Sequence, residues 1–350
     1  MLPTREDIST AFRIQAQWCE RLGSPLYGQL LEQAAADVDD GGPFARWMEG
    51  WEGRPIQDAL VLRAMGAVHR LVLNGEAPQL AAHYPSTGGE PRWPAVWEAL
   101  RALVESRMDE LRAALGERVQ TNEVNRSAPL LGGFLEIAAK YGKTMRLLEI
   151  GASAGLNLLW DRYRYELGEH RWGDQRSPVV IRAEWQGPPP RLDAPVGVVE
   201  RCGLDLSPVD VRDDASVRRL ESFVWPDQLE RLEQLRAAVR LARQSRPRLE
   251  TGSAATWVRR QLNATVLRTV TVVYHSILWW YLSEDEQREF TAVLEEAGAR
   301  ATAEAPLAWL NFEVRNGKGA ELRLRTWPGG EERVLGYGDP HGRQVKWLER

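Results

Sequence analysis

Chemistry is densest at Leu147 to Trp160, LLEIGASAGLNLLW. A short apolar run leads into a turn of small residues and then into an amphipathic stretch, which predicts strand, tight turn and helix. Small residues let backbone approach a ligand, and a helix N-terminus beyond them favours negative charge. Spacing tests two chemistries at this turn. A dinucleotide fingerprint G-x-G-x-x-G would need glycines where Gly151, Ser153 and Leu156 stand, so it fails at two of three positions. A nucleophile elbow G-x-S-x-G is matched by Gly151, Ser153 and Gly155, with Ser153 as nucleophile and a later histidine, His275 or His341, as its base. An elbow normally follows several strands, whereas the pattern before Met145 is helical.

A third arrangement, an acidic residue and then small residues as E-x-G-x-S-x-G, is similar to the turn of class I S-adenosylmethionine-dependent methyltransferases. On that reading Glu149, Gly151, Ala152, Ser153, Gly155 and Leu156 contact the cofactor, with Ser153 in place of the usual middle glycine. A further apolar run ends in Asp205, where a nucleotide-binding sheet carries its ribose-binding acid, and Leu206 follows it. The separation from Gly151 exceeds the roughly 20 residues of a compact unit, and a Pro-rich insertion takes up most of the excess. His275 ends another apolar run. A neutral imidazole at a strand's C-terminal end could accept a proton from an oxygen or nitrogen acceptor, which makes His275 the catalytic candidate. Asn122, Glu123, Asn125 and Arg126 form a polar cluster, from which Asn122 and Arg126 are candidates for substrate binding. Each feature also has a plainer use: a tight turn, a helix cap, a histidine hydrogen-bonded for structure.

The elements that must position these residues fall into two regions. Residues 1–118 carry helix-period patterns, clearest at Ala59 to Leu73 and Val96 to Leu115, and predict a helical N-terminal domain. Residues 119–350 alternate: a helix at Pro129 to Tyr141 closed by Gly142, strands at Met145 to Ile150, Val196 to Leu206, Arg248 to Thr251, Thr269 to Tyr274 and Leu307 to Val314, and helices at Asp227 to Gln244 and Ser283 to Gly298. That alternation predicts an α/β fold, a Rossmann-like, mostly parallel sheet. Ser283 with Glu286 makes a capping box, so the strand before it must end near His275. After Val314, ELRLRTW, GGEERVLGYG and QVKWL predict antiparallel strands finishing one sheet edge. Residues at about 163–196, with Pro178, Pro188, Pro189, Pro190 and Pro195, predict an inserted loop or hairpin cap.

Composition excludes several classes. Hydrophobic residues at 43% and charged ones at 27% fit a globular chain with a full core. A net charge of −4 speaks against nucleic acid as partner. Only Cys19 and Cys202 occur, far apart, so neither a disulfide framework nor a metal knuckle is expected, and a cytoplasmic setting is. MLPTREDIST at the N-terminus lacks a secretion pattern, and Val270 to Leu282 falls short of the about 20 residues a bilayer needs, so no membrane association is expected.

TNEVNRSA (Thr121 to Ala128), LLEIGASAGLNLLWDRYRY (Leu147 to Tyr165), GLDLSPVDV (Gly203 to Val211), VWPDQLERLEQLRAA (Val224 to Ala238), YHSILWWYL (Tyr274 to Leu282) and HRLVLNGEAPQLAAHYP in the helical region resemble, nearly end to end, the bacterial family catalogued as domain of unknown function 2332. The resemblance implies a methyltransferase-like fold behind a helical domain, and an adenine contact at Gly252 and Ser253, where the family usually has an acidic residue after the glycine. It brings no activity with it. Together these readings lead to the expectation of a methyltransferase-like protein with S-adenosylmethionine as cofactor, a small-molecule substrate and no metal, the alternative being a non-catalytic nucleotide-binding or regulatory protein on the same fold.

Overall fold

In a computed structural model, residues 2–142, 144–315 and 319–348 are described. Twelve α-helices and eleven strands are assigned among them: α1 (Arg5–Arg21), α2 (Pro25–Asp39), α3 (Pro43–Met48), α4 (Leu60–Leu73), α5 (Pro78–Ala81), α6 (Ala95–Ser106), α7 (Met108–Ala114), α8 (Ser127–Tyr141), β1 (Thr144–Ile150), β2 (Arg164–Leu167), β3 (His170–Gly173), β4 (Val180–Gln186), β5 (Val198–Asp205), α9 (Asp214–Ser222), α10 (Leu229–Ser245), β6 (Arg248–Thr251), α11 (Ala254–Leu262), β7 (Thr269–Ser276), α12 (Glu284–Arg300), β8 (Leu307–Val314), β9 (Ala320–Trp327), β10 (Glu331–Gly338) and β11 (Gln344–Trp347). The chain divides into two compact units, 1–121 with 212–236, and 122–211 with 237–350.

The first unit is helical and packs around Phe12, Leu30, Phe44, Trp47, Leu60 and Val68. The segment 212–236, which the sequence pattern groups with the α/β region, is part of this unit because its polar groups complete the helices. Asp227 accepts from Leu26 N at 3.0 Å at the start of α2, and Gln228 Nε2 donates to Leu22 O at 2.7 Å. His69 on α4, fully buried, bonds Ser222 O at 3.1 Å and Ser86 Oγ at 2.8 Å. The helix expected over Val96 to Leu115 is two, α6 and α7, broken at Arg107 with φ −119°.

In the second unit all eleven strands form one sheet, in the order β3-β2-β4-β11-β10-β9-β8-β7-β1-β5-β6. Strands β6, β5, β1, β7 and β8 are mutually parallel, and the chain starts in the middle of them, so strand order reverses between β1 and β7. Both faces are covered, as parallel strands require. Alternation along β1 sends Leu148 and Ile150 into a core with Trp257 of α11 and Phe290 and Leu294 of α12. On the opposite face, Phe134 of α8 stacks on Trp160 at 4.3 Å and meets Tyr274 edge-on.

Two expectations about this sheet change. The C-terminal strands do not finish an edge: β9, β10 and β11 lie inside the sheet, and β4, β2 and β3 of the Pro-rich insertion extend it beyond them. Each insertion strand is free of proline, so its N–H groups can pair, and an unpaired β11 would leave a row of backbone groups without partners. The second change concerns Leu156–Arg162, a seven-residue 3-10 helix interrupted at Leu159, not a regular α-helix.

Candidate functional site

The turn after β1 is held tightly from within. Gly151 and Gly155 have φ of +70° and +69°, and Ser153, although not glycine, has φ +51°. The β5 neighbour of the turn must be Gly203, because a Cβ there would lie 2.5 Å from that of Ala152. Every amide from Ala152 to Leu156 is already bonded inside the protein. Ala152 N donates to Leu204 O at 2.9 Å and Gly155 N to Ala152 O at 2.7 Å. Ser153 N donates to Asp205 Oδ2 at 2.8 Å, while Ala154 N and Leu156 N both donate to Asn122 Oδ1 at 3.1 Å. With those amides occupied and only a short 3-10 helix behind them, the turn offers no N-terminal anion site of the kind expected from the sequence.

Asn122 is thus a buried clamp for the turn, its side-chain oxygen spent on two amides. Its neighbours in the cluster are similarly engaged. Asn125 Nδ2 ties Arg182 O and Gly342 O at 2.9 and 2.8 Å, and Arg126 Nε donates to Pro340 O at 3.0 Å with Nη1 at 3.5 Å from Ser276 O.

Asp205 ends β5 half-buried, accepting Ser153 N on one oxygen and Ser207 N, at 2.9 Å, on the other. A carboxylate offers about four lone-pair sites, so two further donors can still be accepted. Leu206, beside it, is 63% exposed. Gly252 and Ser253 follow β6, with Ser253 exposed at the start of α11 and its hydroxyl not spent on capping.

Below the turn, Glu149 is 2% exposed and bonded by Tyr274 OH at 3.3 Å. Burial pushes its carboxyl well above the usual range; Tyr274 and Arg126 pull it back and the charge of Asp205 raises it further. Ser153 Oγ and Asn157 Oδ1 are buried and make no hydrogen bond. Ser153 lies in the turn itself and Asn157 in the 3-10 helix that follows it, and buried polar atoms in native proteins are almost always paired.

His275 presents the opposite case. It is fully buried on the α12 face, stacked on Trp279 at 5.4 Å, with Nδ1 2.6 Å from Glu313 Oε1 and Nε2 3.0 Å from Trp309 Nε1. Both ring nitrogens are occupied, which leaves none to take a substrate proton. The catalytic role expected of His275 is therefore corrected to a structural one: strand alternation turns it to the face opposite Glu149 and Tyr274. Ser153 has the left-handed backbone of an elbow, but no imidazole bonds its hydroxyl, and the following amide, an elbow's oxyanion donor, is held by Asn122.

Sequence reasoning missed Glu313 and Tyr274. A signal for Glu313 was present: in the apolar strand LAWLNFEV it follows Trp309 at a spacing of four, so it points to the same buried face.

The sequence profile of one family, described as an uncharacterized protein conserved in bacteria, domain of unknown function 2332, matches residues 9–347. The chain belongs to that family. No curated protein and no solved structure matches it. Among the described residues no group of acidic, histidine and cysteine side chains could hold a metal ion, and no helix is long and apolar enough to cross a membrane.

Proposed function

We propose that this member of the family binds S-adenosylmethionine in the crevice outside the C-terminal ends of β1, β5 and β6 and is a methyltransferase-like enzyme for a small molecule. The observation that carries the reading is the reversal of strand order beside β1, with Asp205 at the end of the adjacent strand and an orphan hydroxyl, Ser153 Oγ, in the turn between them. Ligands of open α/β sheets bind at such reversals.

The residues fit the adenosyl half of the ligand. Asp205 accepts both ribose hydroxyls on its remaining lone pairs, Leu206 covers one face of the base, and Gly252 and Ser253 lie at its edge. Glu149 favours a cationic neighbour, since a positive charge lowers the cost of ionising a buried carboxyl. The methionyl carboxylate finds no amide in the turn, and the positive field at that end comes from Arg126, whose charge already reaches Glu149. When bound, the cofactor supplies an electrophilic methyl group. The chain's contribution is to orient an acceptor in line with it and exclude water. No base is assigned, because His275 is occupied.

Calorimetry with S-adenosylmethionine, S-adenosylhomocysteine and NADH tests the reading: the first two bind and the third does not. Asp205→Asn retains one acceptor oxygen and loses charge-assisted bonds of about 1.5–3 kcal/mol each, which weakens binding roughly 10- to 100-fold. Preferential binding of NADH, or an affinity unchanged in Asp205→Asn, sinks it. Labelled methyl transfer to a small-molecule extract then separates an enzyme from a sensor that binds the same ligand without turnover.

A further inference from the structure

His275 and Glu313, buried near the ends of the neighbouring strands β7 and β8, take no part in cofactor binding, yet their hydrogen bonds define a device. Three N–H groups converge on Glu313: His275 Nδ1 at 2.6 Å and Leu278 N at 2.9 Å on Oε1, and Trp279 N at 3.0 Å on Oε2, with Leu278 N also 3.0 Å from Oε2. On the far side of the ring, Trp309 Nε1 lies 3.0 Å from His275 Nε2. An indole nitrogen only donates, so Nε2 must accept and the ring proton sits on Nδ1. Position 313 is then surrounded by donors alone, and only an acceptor on both atoms satisfies it.

What the carboxylate holds is the segment just after β7. Ile277 there has φ +51°, a left-handed conformation that β-branched residues rarely adopt, and Leu278 reaches the cofactor turn: a Cβ on Gly151 would lie 2.9 Å from its Cδ1. We propose that Trp309, His275 and Glu313 form a tautomer-locked clamp that seats Leu278 against Gly151, which makes Glu313 a positioning residue for the crevice. The link to ligand binding rests on the S-adenosylmethionine reading, and the effect on the segment itself does not.

Glu313→Gln tests it, because glutamine keeps the shape but places an NH2 among donors. His275 cannot adapt while Trp309 fixes its tautomer. In the ligand-free protein, hydrogen exchange at Leu278 and Trp279 accelerates about 10-fold or more, the range expected for losing hydrogen bonds to a charged group, while β5 and β6 amides stay protected. Affinity for S-adenosylhomocysteine falls by a similar factor. Trp309→Phe in the same chain frees the imidazole to accept from the glutamine, so the double variant regains slow exchange and affinity relative to Glu313→Gln. If Glu313→Gln does not fold, recovery of soluble yield and Tm in the double variant is the readout. Unchanged exchange at Leu278 and Trp279, or a double variant no better than the single one, overturns the clamp. If S-adenosylhomocysteine does not bind the wild type, the ligand reading falls and the exchange comparison alone decides the clamp.

Discussion

The two faces of the central strands treat buried polar groups in opposite ways. On the α12 face, His275 and Glu313 are saturated, with both ring nitrogens and both carboxylate oxygens bonded. On the turn side, Glu149 makes one hydrogen bond, at 3.3 Å, and Ser153 Oγ and Asn157 Oδ1 make none. A saturated buried network rigidifies the fold, whereas an unsatisfied one carries a standing cost that a ligand can remove. The histidine expected from the sequence to act as a base is consequently the less available group, and the unspent polar atoms lie at the turn beside Asp205.

The largest effect that could break this contrast comes from His275→Ala. It leaves a cavity and strips Trp309 Nε1 of its partner, which costs about 3–5 kcal/mol, read as a drop in Tm with ligand affinity falling only as far as Leu278 loosens. A catalytic His275 would instead lose turnover at unchanged Tm.

Next in size is a pH effect from His69, the other saturated buried histidine. Burial lowers its pKa from 6.5 to about 4, so between these values the unfolded chain takes up a proton and the folded one does not. Stability is present above pH 6.5 and falls as pH drops toward about 4, by about 3 kcal/mol at 1.36 kcal/mol per pH unit. A buried amide would not titrate, so His69→Gln should flatten this part of the Tm profile whatever its effect at pH 7.

Glu149 carries the opposite sign. Its folded pKa lies above the unfolded value, so its contribution is fully present below about pH 4.5 and is lost as pH rises through the folded pKa. Glu149→Gln removes that loss: Tm at pH 8 should rise relative to wild type and match it near pH 4. If Glu149→Gln lowers Tm at pH 8, the carboxyl is compensated in the free protein and the contrast between the faces fails.

Ser153→Ala has the smallest effect on stability, a gain of about 1 kcal/mol in the free protein, because it removes a buried hydroxyl that lacks a partner. Its consequence belongs in the affinity for S-adenosylhomocysteine, which should weaken if the orphan hydroxyl meets the ligand.

Burial pushes the Cys19 thiol of the helical unit to about 12 and the Cys202 thiol on β5 to about 11, far from thiolate reactivity at neutral pH.

Much of the frame was legible in local pattern. Five parallel strands were found near their observed places, and the capping box of Ser283 and Glu286 ended β7 close to His275 as expected. Such features depend on residues a few positions apart: apolar alternation, a side chain reaching its own helix's first amide. What could not be read depends on partners far along the chain. Asn122 occupies the amides of Ala154 and Leu156, and that removes an anion site the spelling of the turn promised. Likewise β4 pairs with β11, so a Pro-rich insertion becomes sheet, and Asp227 caps a helix two hundred residues earlier. Sequence alone determined that Gly151 to Gly155 turn tightly between a buried strand and an apolar segment. Only the tertiary structure decided which polar groups around that turn are spent and which are left unpaired, because hydrogen-bond saturation is set by neighbours in space, not by neighbours in the chain.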